Sequence, residues 1–242
     1  MSILSRMILN ISTKFELMLP AQPCVLCGGM SHEGMWCAPC DEASPYLNEP
    51  HCPVCSLPSP TREICGKCLK HPPLFTRTAC VFTYTFPLDK LILAMKYGGQ
   101  LTLAEAFAKK MAKRIDRHTL PDYVIPMPLH PTRLRERGFN QSLLLASTIA
   151  RQLGIVLLPD SCQRIRNTPS QSSLPWKERN KNVRNAFRCD IDLSGKHVAL
   201  VDDVLTTGAS LNALAAAARQ KGAEEISAWV IARTLPHKDK AF

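Results

Sequence analysis

Apolar residues near the C-terminal end of the chain are first consecutive and then helically spaced. Positions 198–204 are apolar except for the adjacent acids Asp202 and Asp203, which is typical of a buried strand in a parallel sheet. Small and hydroxylated residues follow in the loop 205–210. Apolar side chains then recur at helical spacing, at Leu211, Leu214, Ala215 and Ala218. The pattern predicts a strand, a tight turn and a helix.

Similar patterns elsewhere predict a repeated succession of strands and helices. Runs of β-branched, aromatic and apolar residues predict strands at 78–86, 123–129, 155–158 and 226–232. Helical spacing predicts helices at 88–96, at 101–115, and from Phe139 to the residue before Gly154. Because strand, helix and strand recur, we expect an α/β fold with a mostly parallel sheet flanked by helices.

Eight cysteines near the start of the chain form four Cys-x-x-Cys pairs, with nine residues between the two pairs of each half. The pairs are Cys24/Cys27, Cys37/Cys40, Cys52/Cys55 and Cys65/Cys68. Two such pairs supply the four thiolates that Zn²⁺ prefers, so we predict a double zinc ribbon with two structural Zn²⁺ ions. Sequential grouping of the pairs is the simplest, interleaved grouping stays open, and a thiol redox role is the alternative. The nearby His32, His51 and His71 are interpreted as surface residues.

The patterns divide the chain into four segments. We predict a tail or short helix over 1–22, the double zinc ribbon over 23–71, the sheet domain over 76–236 and a C-terminal tail over 237–242. The ribbon segment has too few apolar residues for a core of its own, so we expect metal binding to supply its folding energy.

Composition limits the partners and the compartment. The chain has 242 residues and a formal net charge of +10, and residues 131–188 hold eleven Lys or Arg against three acids, a net of +8. This excess favours anionic partners. Neither a membrane span nor a cleavable signal peptide is predicted. Eleven cysteines without a secretion signal argue against a disulfide framework and favour metal binding in a reducing cytoplasm.

The predicted turn after the strand has the chemistry of a phosphate site. A helix start offers unpaired backbone N–H groups and a partial positive charge to an anion. Asp202 and Asp203 come at the end of the strand, where open parallel sheets bind ligands, and two adjacent acids could hold two sugar hydroxyls. The alternative is an ordinary buried strand and turn.

Basic and polar residues elsewhere are candidates for contact with pyrophosphate or DNA. Lys96 precedes Tyr97-Gly98-Gly99, and the segment that follows the strand 123–129 carries Arg133, Arg135, Arg137 and Asn140. A long polar segment adds Gln171, Trp176, Arg179 and Arg184, and such a loop is usually functional or mobile. The alternatives are a helix–helix turn at Gly98, a solvated basic turn at the arginines and a charged surface helix over 175–185, with Trp176 as a packing residue.

Several of these motifs together resemble the ComF family of competence-associated phosphoribosyltransferase-like proteins. They are the Cys-x-x-Cys repeat, Lys96-Tyr97-Gly98-Gly99, PMPLHPTRLRERGFNQ, the Gln-Ser to Asn-Ala-Phe segment and VDDVLTTGAS. The last of these resembles the phosphoribosyl-pyrophosphate (PRPP) motif of type I phosphoribosyltransferases. The resemblance runs from about Cys24 to Thr234.

The resemblance implies a type I phosphoribosyltransferase-like fold in a cytoplasmic protein that handles incoming single-stranded DNA. It implies PRPP binding, with Mg²⁺, by Val201, Asp202, Asp203, Val204, Leu205, Thr206, Thr207, Gly208, Ala209 and Ser210. If catalysis occurs, Asp202, Asp203, Arg133 and Arg137 are the implied catalytic residues.

Three functions remain open on the sequence alone. The chain could be a DNA-uptake factor that binds PRPP or a related ribose phosphate. It could be an active phosphoribosyltransferase, although no hood that would select a nucleobase is evident. It could also be a zinc-ribbon scaffold that docks a helicase or another DNA-processing partner.

Overall fold

The computed structural model describes residues 22–31, 34–167, 183 and 185–236. The predictions made for His32 and for residues 1–21, 168–182, 184 and 237–242 lie outside this range. The chain divides into two compact units, Met1–Ser44 and Pro45–Phe242, so the division falls between the two groups of four cysteines. Every helix in the described range is too short or too polar to traverse a lipid bilayer.

The first unit is a small cysteine-rich fold. Strand β1 (Gln22–Pro23) pairs antiparallel with β2 (Met30–Ser31), and helix α1 covers Ala38–Glu42. The Trp36 indole is 7% exposed and donates from Nε1 to Asp41 Oδ1 at 2.8 Å. With so few buried apolar residues, this unit depends on its cysteines for a centre, as expected for a zinc ribbon.

The second unit contains a five-stranded sheet in the order β3-β9-β8-β4-β5, and all of its strand pairs are parallel. The strands are β3 (Arg77–Thr83), β4 (Tyr123–Pro126), β5 (Val156–Leu157), β8 (His197–Leu205) and β9 (Glu225–Arg233). Strands β8 and β9 lie near the middle of the sheet and are almost continuously apolar, because both faces of a parallel sheet are covered. The predicted α/β fold is confirmed.

The helices of this unit are α2 (Gly66–Lys70), α3 (Leu88–Tyr97), α4 (Thr102–Arg114), α5 (Pro131–Arg137), α6 (Gln141–Leu153) and α7 (Ala209–Arg219), with a 3₁₀ turn at Arg117–Thr119. Apolar spacing predicts α3, α4, α6 and α7, whereas α2 and α5 were not predicted. Helices α4 and α6 pack against each other, α6 also contacts β4 and β8, and α7 contacts β8. This packing fixes the first residues of α6 and α7 beside the end of β8.

An antiparallel pair was not predicted from the sequence. Strand β6 (Cys162–Arg164) pairs with β7 (Phe187–Cys189), at the two ends of a segment that the sequence indicates as a long polar loop. Cys162 and Cys189 face each other in this pair and form a disulfide. The expectation that the cysteines serve metal binding rather than disulfides is therefore wrong for these two residues, which belong to no Cys-x-x-Cys pair.

The second group of cysteines shares the core of the sheet. Cys52, Cys55 and Cys68 belong to the same buried cluster as Leu205 and Val230. Backbone bonds cover the outer edge of β3: the Thr78 N–H donates to the Pro53 carbonyl at 2.9 Å, and the Leu47 N–H donates to the Val81 carbonyl at 2.9 Å. The segment 45–54 thus closes an edge strand that would otherwise expose unpaired backbone groups.

Candidate functional site

The eight cysteines form two four-sulfur clusters. All Sγ atoms of Cys24, Cys27, Cys37 and Cys40 lie within 4.8 Å of one another, and the same holds for Cys52, Cys55, Cys65 and Cys68. The Cys27–Cys37 sulfurs are 3.7 Å apart and the Cys55–Cys65 sulfurs 3.6 Å. Tetrahedral zinc with bonds of about 2.3 Å requires sulfurs roughly 3.8 Å apart. Both clusters fit Zn²⁺, and the grouping is sequential.

In each cluster, hydrogen bonds to one sulfur lower the pKa of its thiol and so favour it as a metal ligand. The Cys37 N–H donates to Cys24 Sγ and the Cys65 N–H donates to Cys52 Sγ, both at 3.3 Å. Burial raises the pKa of each acceptor thiol, but backbone N–H groups outweigh it and lower the pKa of Cys24 to about 6 and that of Cys52 to about 7. The thiolate is the form that binds metal. The two knuckles, the Cys-x-x-Cys turns at Cys24–Cys27 and Cys52–Cys55, therefore favour metal binding near neutral pH.

The Asp203 carboxylate is held by two residues from other elements. Asp203 is 3% exposed. Lys96 Nζ, in the last turn of α3, lies 2.8 Å from Asp203 Oδ2, and Gln141 Nε2, at the start of α6, donates to the same oxygen at 3.0 Å. Burial disfavours the Lys96 charge, but Asp203 outweighs this effect and raises the pKa of Lys96. Lys96 is therefore protonated at neutral pH and pairs with the Asp203 carboxylate.

The Asp202 carboxylate lies in a different environment. Ser142 Oγ donates to Asp202 Oδ1 at 3.1 Å, and the Asp203 backbone N–H donates to the same oxygen at 2.9 Å. Burial, followed by the charge of Asp203, raises the pKa of Asp202 to about 7. Asp202 therefore changes its protonation state near neutral pH, where Asp203 is already paired with Lys96.

Further candidates lie around this pair. Arg137 stacks over the Tyr97 ring, with 4.9 Å from its Cζ to the ring centroid, and its side chain donates to Gln141 Oε1. Asn140 caps α6, since its Oδ1 accepts from the Ser142 N–H at 3.0 Å, and its Nδ2 donates to the Met127 carbonyl at 3.1 Å. The structure thus brings Lys96, Arg137 and Asn140 together with the two acids.

The other candidate residues divide into three groups. Burial and the neighbouring Arg133 charge lower the pKa of Arg164, whereas Asp202 opposes the shift, so the Arg164 guanidinium group lies near both Arg133 and Asp202. Arg135 is exposed. The remaining sequence candidates, Gln171, Trp176, Arg179 and Arg184, lie outside the described residues.

The loop after β8 is shaped for an anion. Gly208 has φ +85°, a conformation that L side chains rarely adopt, and α7 begins at the next residue. The Ala209 N–H donates to Thr207 Oγ1 at 3.1 Å. The first turn of α7 supplies backbone N–H groups and the positive end of the helix dipole. Val201 and Leu205, which are 1% and 2% exposed, pack in the core and offer only backbone to a ligand.

A cavity of about 760 Å³ borders the same loop, within the usual size range of ligand sites. Thr207, Gly208 and Ala209 line it, whereas the two acids do not. Its wall also includes the aromatic residues Phe75 and Phe187 and the basic or titratable residues Lys67, His71 and Arg188. None of the described residues that line it carries a carboxylate, so the cavity favours anionic and apolar groups.

Sequence reasoning missed several residues of this site. Gln141 and Ser142 contact the acids, Arg164 lies near Asp202, and Arg233 borders the cavity. The sequence predicts a helix from Phe139, and α6 begins two residues later at Gln141. Its approach to the acids comes from the packing of α6 on β8, for which the chain order gives no signal.

The fold and the loop define a phosphoribosyltransferase-like domain preceded by a double zinc ribbon. The family described as phosphoribosyl transferase domain matches residues 140–240, and the double zinc ribbon domain matches residues 15–69. The chain is 36% identical over 191 residues to the DNA utilization protein YhgH of Salmonella typhimurium, with 76% of this chain and 84% of the relative covered. It is 34% identical to the protein of that name in Escherichia coli K12, covering 88% and 97%, and 33% identical to competence protein F of Haemophilus influenzae, covering 87% and 96%. The chain therefore belongs to the ComF family, as the sequence motifs indicate.

Proposed function

We infer that this chain binds PRPP or a related ribose 5-phosphate at the end of β8 and handles single-stranded DNA during DNA uptake in the cytoplasm, with a zinc ion in each cysteine cluster. The observation that carries this proposal is the position of the paired acids directly before the loop of Gly208 and the start of α7. A sugar whose hydroxyls contact the acids would have its 5′-phosphate within reach of the loop.

The protonation and contacts of the acids support a sugar site. Within the described part of the chain, Asp202 Oδ2 and Asp203 Oδ1 have no hydrogen-bond partner. These oxygens can accept from vicinal ribose hydroxyls, and a hydrogen bond from a neutral hydroxyl to a carboxylate is stronger than a neutral one. Lys96 offsets one of the two negative charges, so that an anionic ligand can approach.

Magnesium fits the same place. Carboxylate oxygens and substrate phosphates are its usual ligands, and the open oxygens of Asp202 and Asp203 could bind it directly or through water. The ion would supply positive charge to the pyrophosphate group of PRPP. Arg133 and Arg137, on α5, would add guanidinium donors to that group.

The relatives and the cavity support the DNA part of the proposal. Two of the relatives are named for DNA utilization and one for competence. Sites for single-stranded DNA combine cations that follow the backbone with aromatic rings on which bases stack. The cavity beside the loop offers Lys67 and Arg188 for the first purpose, whereas its aromatic residues Phe75 and Phe187 are buried, at 2% and 7% exposure, and offer no stacking face.

The experiment is isothermal titration of the full chain with PRPP, with and without Mg²⁺. We expect saturable binding that requires Mg²⁺, and at least a tenfold loss of affinity in the Asp202→Asn/Asp203→Asn variant. Asp192→Asn is the matched control, since Asp192 is exposed and bonds to Ser194 in a surface turn. Equal affinities in all three proteins would contradict the proposal.

A second candidate is transfer of the phosphoribosyl group to an acceptor base, which the pKa of Asp202 favours. A carboxylate with a pKa of about 7 suits a general base at neutral pH. The bond from ribose C1′ to pyrophosphate would break, a bond from C1′ to an acceptor nitrogen would form, and the proton of that nitrogen would pass to Asp202. Pyrophosphate release with a panel of bases, lost in Asp202→Asn, tests this candidate.

A further inference from the structure

Arg233, the last residue of β9, is a buried cation. It is 1% exposed and is among the largest fully buried side chains of the molecule. Among the described residues, no carboxylate lies within 4.0 Å of its guanidinium group. Removing a charge from water without a partner costs several kcal/mol, so such a residue needs another source of stabilisation.

The guanidinium group is satisfied by backbone carbonyls of two distant segments. Its Nε donates to the Cys55 carbonyl at 2.7 Å, and one terminal nitrogen donates to the Leu205 carbonyl at 2.7 Å and to the Thr206 carbonyl. Cys55 belongs to the second cysteine cluster, and Leu205 and Thr206 begin the phosphate loop. One side chain therefore bridges the cluster and the loop.

The contact with Thr206 sets the direction of a loop N–H group. A peptide unit is planar and trans, so its carbonyl and the N–H of the next residue point in opposite directions. Arg233 draws the Thr206 carbonyl toward the buried side, which turns the Thr207 N–H away from it. In the described part of the chain, the Thr206 carbonyl has no donor besides Arg233.

The second cluster complements Arg233 in charge as well as in geometry. Four thiolates around one Zn²⁺ carry a net charge of −2, and Cys55 and Cys68 line the cavity together with Arg233. Closure of the knuckle by a metal also fixes the Cys55 carbonyl that accepts from Nε. Loss of the metal would remove both contributions at once.

We propose that Arg233 is a positioning residue that couples metal occupancy of the second cysteine cluster (Cys52, Cys55, Cys65, Cys68) to the shape of the phosphate loop. The metal-loaded cluster holds Arg233, and Arg233 holds the loop carbonyls so that the loop N–H groups face the ligand. The consequence for ligand binding rests on the proposed ribose 5-phosphate site, but the coupling between cluster and loop does not.

Hydrogen exchange of the full-length, zinc-loaded chain without ligand tests the coupling itself. The sample carries Cys24→Ser and Cys27→Ser, so that only the second cluster binds zinc. On addition of a chelator, we expect at least tenfold faster exchange at the loop amides of Ala209 and Asn212, which donate to Thr207 Oγ1 and to the Gly208 carbonyl, while the β4 amides of Val124 and Ile125 stay protected. Unchanged loop exchange, or equal acceleration in β4, would overturn the proposal, because the first shows no coupling and the second shows loss of the whole unit.

Arg233→Lys separates the role of the forked side chain from that of the charge. Lysine keeps the cation but cannot reach both segments with a planar fork. In this variant we expect loop exchange that is already fast with zinc bound and that the chelator does not change further, with the zinc content unaltered. Loop protection equal to that of the parent protein would contradict the assignment.

Titration with ribose 5-phosphate measures the functional consequence. We expect about tenfold weaker binding in Arg233→Lys, and unchanged binding in Cys24→Ser/Cys27→Ser, which lacks only the first metal. If the parent protein does not bind ribose 5-phosphate, the proposed function fails, whereas the exchange results still decide the coupling. Equal losses of affinity in Arg233→Lys and in Cys24→Ser/Cys27→Ser would contradict a role specific to the second cluster.

Discussion

Lys96 Nζ lies 2.8 Å from Asp203 Oδ2, which joins the last turn of α3 to the end of β8. The side chains are 20% and 5% exposed, so little water screens the pair. Gln141 donates to the same oxygen and completes the environment of the carboxylate. In the candidate site Asp203 is thus paired with a cation, and Asp202, whose pKa is raised to about 7, titrates near neutral pH.

Lys96→Met is expected to destabilise the chain, because it leaves the Asp203 charge buried without its cation. A loss of about 3 kcal/mol in the free energy of unfolding at pH 7.5 is typical for such a site, measured by urea denaturation. The matched control is Lys196→Met, since Lys196 pairs with Asp122 at 3.3 Å where both side chains are about 40% exposed. We expect that control to lose much less stability, because solvent screens an exposed ion pair. Equal losses in both variants would contradict the assigned role of the Lys96 pair.

The stability of the chain should depend on pH through Asp202. Its pKa is about 7 in the folded chain against an ordinary value of 3.8, so the folded state holds the proton more tightly than the unfolded state. Stability from this group is complete below about pH 4 and is lost as the pH rises to about 7. Asp202→Asn removes this loss. We therefore expect the free energy of unfolding of the variant to rise relative to that of the parent protein between pH 4 and pH 8, by at most about 4 kcal/mol.

Urea denaturation at pH 4, 6 and 8 measures this difference, with Asp192→Asn as a control of opposite sign. Hydrogen bonds from Ser194 lower the pKa of Asp192, so its contribution is present at high pH and is lost as the pH falls. We therefore expect Asp192→Asn to be the less stable protein at pH 8. A pH-independent difference between Asp202→Asn and the parent protein would show that Asp202 has an ordinary pKa.

Ser56→Gly should stabilise the second knuckle. Ser56 has φ +55°, its side chain is fully buried, and its Oγ has no hydrogen-bond partner among the described residues. Glycine relieves both the backbone strain and the unsatisfied hydroxyl, so the expected gain is about 1 kcal/mol by thermal or urea denaturation. Gly28 holds the corresponding position of the first knuckle with φ +73°, and Gly28→Ser should destabilise that knuckle. A loss of stability in Ser56→Gly would contradict this interpretation.

Arg188→Ala should weaken binding of single-stranded DNA if the DNA follows the cavity beside the loop. We expect the slope of log affinity against log salt to fall by about 0.7, the value for one phosphate contact with a single strand. Fluorescence anisotropy with a labelled oligonucleotide at several salt concentrations measures it. Lys109→Ala is the matched control, since Lys109 pairs with Glu105 as Arg188 pairs with Asp190, but lies on α4 and does not line the cavity. An unchanged slope in Arg188→Ala would exclude this path for DNA.

Local sequence patterns predicted the elements that are determined by residues close together in the sequence. The apolar run before Asp202, the small residues around Gly208 and the spacing of the cysteines each set one element by its own chemistry. The fold class, the strands of the five-stranded sheet and the helices α3, α4, α6 and α7 follow from such patterns. The loop was recognised because two adjacent acids, small and hydroxylated residues and a helix start follow one another in one short stretch.

Contacts between distant segments could not be predicted in the same way. Lys96 was a candidate only because it precedes a glycine turn, and its partner Asp203 became visible when α3 and β8 were packed together. Arg233 ends a strand and lacks any motif, so its bridge to Cys55 had no sequence signal. The disulfide between Cys162 and Cys189 depends on the register of β6 and β7, which lie at the two ends of a long polar segment.

The most direct test of the ribose phosphate site is a comparison of ribose 5-phosphate with ribose by amide NMR of the zinc-loaded chain. The phosphate should bind at the loop N–H groups, so we predict that ribose 5-phosphate shifts the amide resonances of Thr206 to Ser210 and that ribose at the same concentration does not. Shifts confined to other parts of the chain, or equal shifts with both sugars, would contradict a phosphate site at the end of β8.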